Sequence, residues 1–82
     1  MNYYVYALQS ESKNYIYVGM TSNLKRRIQQ HNEGKSRSTK AYAPLRLVYS
    51  EMCGTGLEAR KREKYLKSGV GKEFLKSLVY NR

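Results

Sequence analysis

Tyr6 and Tyr17 stand eleven positions apart on two strand-like runs, and the amphipathic segment that follows carries Arg27 and His31 on its apolar side. Further along, Glu63 closes the basic run Glu58-Ala59-Arg60-Lys61-Arg62-Glu63. Phenol, imidazole and carboxylate groups can each move a proton at a reacting centre, and a guanidinium can set a fixed positive charge beside a phosphate. Each residue alone has a plainer use. The tyrosines can be strand packing, Arg27 a solvated helix arginine and His31 a core hydrogen-bonder. Glu63 can pair with Lys67 at i, i+4, a surface interaction worth about 0.3–0.5 kcal/mol. Taken together they ask for more, because Arg27, His31 and Glu63 all fall on stripes expected to face a core, where an unpaired charge is expensive.

The elements that must position these groups follow from the local pattern. Residues 3 to 8 and 15 to 20 are rich in aromatic and β-branched residues, and Gln-Ser-Glu-Ser-Lys-Asn between them reads as a turn, so the pair predicts a β-hairpin. Alternation places Val5, Ala7, Ile16 and Val18 on an aliphatic face and Tyr4, Tyr6, Tyr15 and Tyr17 on a tyrosine-lined surface. Thr21 or Ser22 can cap a helix that runs to about Asn32 and stops at Gly34, with Leu24, Arg27, Ile28 and His31 in one stripe. Residues 35 to 44 form a basic, hydroxyl-rich loop, and Leu45 to Glu51 reads as a third strand with Leu45, Leu47 and Tyr49 on one face. Thr55 and Glu58 predict a capping box for a second helix ending near Gly69, on which Ala59, Arg62, Glu63 and Leu66 make a stripe. A short helix after Gly71 should bury Phe74, Leu75, Leu78 and Val79. The expected fold class is α+β, a three-stranded antiparallel sheet flanked by about three helices, in one domain over residues 1–82.

Composition narrows the partner. Sixteen Lys plus Arg against six acids give a formal charge of +10 on 82 residues, which concentrates polyanions and puts nucleic acid ahead of a membrane or an acidic protein. Nine tyrosines supply much of the apolar fraction, and each needs a partner for its hydroxyl. Cys53 is the sole cysteine, which fits a reducing compartment. With no apolar signal core or spanning segment, a cytoplasmic location is expected, with no membrane partner and no small-molecule substrate.

Tyr4-Val5-Tyr6, Tyr17-Val18-Gly19, Arg27 eight residues after that glycine, and Glu63 match in order and spacing the motifs of the GIY-YIG nuclease superfamily. The chain resembles its small single-domain members and the nuclease module of the excinuclease C subunit, over roughly residues 2 to 76. Tyr4 replaces the first glycine of the family name, and Met20 stands where repair-nuclease relatives carry a lysine. The resemblance implies a divalent-metal-dependent endonuclease that hydrolyses DNA phosphodiesters, on branched, damaged or single-stranded DNA in repair or recombination. It implies Glu63 as ligand to Mg²⁺ or Mn²⁺, Arg27 as charge stabiliser, Tyr6 or Tyr17 as general base, and His31 as phosphate contact or proton-transfer aid. DNA contacts are expected from Gly19, Arg26, Lys35, Arg37, Thr39, Lys40 and Arg62, and a protein partner could supply targeting. The alternative is a non-catalytic module on the same scaffold that binds DNA or RNA.

Overall fold

The computed structural model describes residues 2–80, which form an α+β fold in the order β1 (Tyr3–Ser10), β2 (Ile16–Thr21), α1 (Leu24–Asn32), a 3₁₀ turn (Lys40–Tyr42), β3 (Leu45–Cys53), α2 (Gly56–Lys67) and α3 (Gly69–Val79). The strands make one antiparallel sheet, as the sequence pattern predicts, and their order is β2-β1-β3. In the hairpin, Tyr6 faces Gly19 and Leu8 faces Tyr17. The Ser10 hydroxyl fixes the turn: it accepts from the Lys13 N–H at 3.1 Å and donates to the Tyr42 carbonyl at 2.6 Å.

Both faces of the sheet are covered, and this corrects the expectation that the tyrosine-lined side of the hairpin is a surface. On the aliphatic face, Val5, Ala7, Val18 and Cys53 pack against Ala59 and Leu66 of α2 and Leu75 of α3. Each fully buried leucine there contributes about 1.5–3 kcal/mol. On the other face α1 lies over the tyrosines, so Tyr6, Leu8 and Leu45 form a second core with Tyr17, Leu24, Ile28 and Tyr42. Tyr6 is only 1% exposed. Leu8 and Leu45 extend the tyrosine row into an apolar strip wide enough to hold a helix; alternation places Leu8 there, but Leu45 comes from β3, beyond the hairpin.

Local chemistry sets the helix ends. Asn23, not Thr21 or Ser22, caps α1: its side chain accepts from the Arg26 N–H at 3.1 Å, while the Thr21 hydroxyl accepts from the Asn23 N–H at 3.1 Å and so shapes the turn before it. The helix closes in a Schellman arrangement, with the Lys35 N–H on the Gln30 carbonyl, the Gly34 N–H on the His31 carbonyl, and Gly34 at φ 77°. The Thr55 hydroxyl caps α2 as predicted, accepting from the Glu58 N–H. Ser68 both ends α2 and caps α3, so α3 begins at Gly69 rather than after Gly71. A side chain at Gly71 would sit 2.2 Å from the Tyr65 carbonyl oxygen, so this corner closes only on glycine. On α3, Leu75 is buried as expected, but Phe74 and Leu78 are partly exposed because only one edge of this helix reaches the sheet.

One irregularity changes the reading of β3. Ala7 pairs with Tyr49 but Leu8 pairs with Leu47, a bulge at Val48 that breaks the alternation. Leu45 and Leu47 therefore stay on the α1 face, while Tyr49 turns to the α2/α3 face and meets Phe74 edge-on at 5.4 Å. Asn32 pins the start of β3 to α1 by bonding both the N–H and the carbonyl of Leu45.

Candidate active site

The second core is polar at one end. The Tyr6 hydroxyl lies 2.9 Å from His31 Nε2, and His31 Nδ1 lies 2.7 Å from Thr39 Oγ1. His31 and Thr39 are fully buried. A neutral imidazole satisfies both contacts, as donor in one and acceptor in the other. Burial, helped by the nearby Arg27 charge, lowers the His31 pKa to about 4, so at neutral pH the ring is uncharged. Burial likewise pushes the Tyr6 phenol up to about 12, aided by Tyr17 and Glu63, while Arg27 acts in the opposite sense.

Tyr17 completes the cluster from the edge strand. Its ring centre is 4.9 Å from that of His31 and 6.2 Å from that of Tyr6, and unlike Tyr6 it is half-buried. The two phenols can approach only because position 19 is glycine. A Cβ there would stand 2.7 Å from the Tyr6 hydroxyl and 2.9 Å from Tyr17 Cε2. Gly19, read from the sequence as a DNA contact, thus makes room for the tyrosine pair.

Arg27 and Glu63 stand on different helices, and both act electrically on the Tyr6 phenol. Arg27, half-buried on α1, is steadied by a 3.1 Å hydrogen bond from its guanidinium to Gln30 Oε1. Glu63 enters from α2 with its side chain only 12% exposed. Its carboxylate meets Lys67 Nζ at 3.3 Å and Arg60 at 3.9 Å, both on solvent-exposed side chains. Among the described residues no group of three His, Cys, Asp or Glu gathers into a metal cage. A hard divalent cation that keeps most of its waters needs only one or two carboxylates, and Glu63 offers one with no buried partner competing for it.

The remaining predicted contacts divide by position. Arg26, Lys35, Arg37 and Lys40 are exposed along α1 and the loop after it. Thr39 is not on that surface; its hydroxyl is spent on His31, a role that a hydroxyl-rich loop does not announce. Arg62 donates through Nε to Glu51 at 2.9 Å and lies over the Tyr65 ring, tying α2 to β3.

A family model described as the GIY-YIG catalytic domain matches residues 2–76, and the chain belongs to that family, a nuclease family. It is 36% identical to a UPF0213 protein of Syntrophus aciditrophicus over 95% of this chain and 91% of the relative. A UPF0213 protein of Staphylococcus haemolyticus is 38% identical over 93% of each chain. The solution structure of the UPF0213 protein of Bacillus halodurans superposes with a TM-score of 0.57 at 36% identity, over 96% of this chain and 86% of that one. The shared architecture is the three-stranded antiparallel sheet with its three helices. No helix among the described residues is long and apolar enough to cross a membrane.

Proposed function

We propose that this protein is a divalent-metal-dependent endonuclease that hydrolyses DNA phosphodiester bonds, acting on branched, damaged or single-stranded DNA. The observation that supports this reading is the clustering of Tyr6, Tyr17 and His31, with Arg27 and Glu63 close enough to act on the Tyr6 phenol in opposite senses. A divalent cation such as Mg²⁺ or Mn²⁺ on Glu63 would neutralise phosphate charge and stabilise the leaving oxygen. Arg27 holds positive charge where negative charge gathers on the phosphorane oxygens, and Gln30 keeps the guanidinium from swinging away.

Of the two tyrosines, Tyr17 is the general base, because only it has the exposure to touch a water and a phosphate. Tyr6 is sealed in the core, with a phenol held protonated far above neutral pH. Its work, with Thr39, is to fix the neutral His31 ring against Tyr17, so that the base is held in one orientation. Arg26, Lys35, Arg37 and Lys40 contact the DNA backbone and position the strand without reading sequence.

A binding-only module is the competing reading. It draws on the Lys67 and Arg60 contacts, which are those of an ordinary helix ion pair on Glu63. The experiment that separates the two is nicking of supercoiled, branched and single-stranded DNA with Mg²⁺, Mn²⁺ or EDTA, by wild type, Arg27→Ala and Glu63→Ala. Metal-dependent cutting lost in both variants, with DNA affinity retained, supports the nuclease. Tight binding with no cutting of any substrate sinks it.

A further inference from the structure

Beside the tyrosine–histidine cluster, an open groove of about 570 Å³ runs along β2, the edge strand of the sheet. Val18 and Leu75 make its apolar floor, and Tyr15 and Tyr80 stand along its walls. The Tyr15 ring is steadied by Tyr42, stacked on it at 3.8 Å. Lys72 and Lys76 rise from α3 at the rim. They are a same-sign pair one helical turn apart, an arrangement that weakens the helix, and among the described residues neither is in an ion pair. None of the described lining residues is an acid, and Tyr17 belongs to both the groove and the candidate active site.

We propose that this groove is a nucleotide subsite: it takes an unpaired base of the strand being cut, with the flanking phosphates on Lys72 and Lys76. The identity of that strand rests on the nuclease reading. An apolar, aromatic-walled slot with a cationic rim matches the two halves of a nucleotide, a π-face to stack and a phosphate to neutralise. A base inside a duplex cannot enter without leaving its stack, so the subsite favours single-stranded or locally unpaired substrate. A peptide strand added to the β2 edge is the rival occupant, but it accounts for neither the lysine rim nor the continuity with Tyr17.

The test is fluorescence anisotropy in EDTA, where no cutting intervenes. The probe is a labelled oligothymidylate of about twelve nucleotides, within the span such grooves cover. An abasic strand of equal length and a duplex are the comparators. Wild type should bind the base-bearing strand at least about fivefold more tightly than the abasic one. Tyr80→Ala should abolish that preference and leave the salt dependence unchanged. Lys72→Gln/Lys76→Gln should weaken both strands about tenfold and make the salt dependence shallower by roughly the two lost phosphate contacts. Lys25→Gln/Arg46→Gln, which removes two cations outside the groove, should change affinity less than about twofold. Circular dichroism checks the fold of each variant. Equal affinity for base-bearing and abasic strands overturns the proposal, as does a polyglutamate peptide that displaces the oligonucleotide as well as DNA of equal charge does. Because the readout is binding, loss of the subsite with cutting retained leaves the nuclease reading standing. Intact base-dependent binding by a protein that never cuts leaves the subsite standing.

Discussion

Replacing His31 by Gln should flatten the acid limb of the protein's stability curve. The folded imidazole titrates near about 4, against 6.5 for an exposed histidine, because it is fully buried and Arg27 opposes its protonation. Between those values the unfolded chain holds a proton that the folded one refuses, so stability rises with pH across the window. The contribution is complete above about pH 6.5 and is lost as pH falls toward about 4. At 1.36 kcal/mol per unit, the gap sets a ceiling of about 3 kcal/mol, of which about 2–2.5 kcal/mol is gone by about pH 4.5. For a chain of this size, whose total stability is roughly 4–12 kcal/mol, that is a large share. The groups that face the ring are Tyr6, Tyr17, Thr39 and Arg27, and none of them is a carboxylate. Glu33 and Glu51, held below the usual carboxylate range mainly by hydrogen bonds from Gln29, Lys35, Arg62 and Tyr49, act only at lower pH and equally in both proteins. Glutamine keeps a donor and an acceptor but cannot titrate; it differs from the ring in shape, so the slope is compared and not the absolute stability. The assay is urea unfolding followed by circular dichroism at several pH values from about 7.5 to about 4.5. Wild type should lose about 2 kcal/mol more than His31→Gln over that range. Equal losses would refute the picture of a buried, neutral His31.

Three other outcomes are expected. Tyr17→Phe should lower DNA cleavage by about 10²–10⁴-fold with little change in stability, whereas Tyr6→Phe should cost about 1–3 kcal/mol in denaturant melts by leaving His31 short of a partner. Gly19→Ala drives a methyl group into both tyrosine rings and should destabilise by about 1–3 kcal/mol while depressing cleavage, as melts and nicking rates would register. Millimolar Mg²⁺ or Mn²⁺ should raise the Tm of wild type but not of Glu63→Gln, and a shift retained by the variant would move the metal ligand elsewhere.

The fold class was legible because its signals are local. Strand alternation in the hairpin, the turn between the tyrosine-rich runs, the Thr55–Glu58 cap and the stop at Gly34 all act within a few residues, and the structure keeps each of them. Family membership was legible too: the family model matches residues 2–76, the span over which the sequence resembles it. Long-range packing decided the rest. That α1 covers the tyrosine face depends on Leu8 and Leu45 meeting across the sheet, and the turning of Tyr49 depends on a bulge that exists only between paired strands. The burial of Thr39 against His31 joins a loop to a helix eight residues away, a contact no period can announce. The sequence by itself determined which groups are present and on which elements they ride, because propensity and capping are near-neighbour physics. Only the tertiary structure decided which tyrosine is sealed and which is open, because burial depends on what the rest of the chain lays on top.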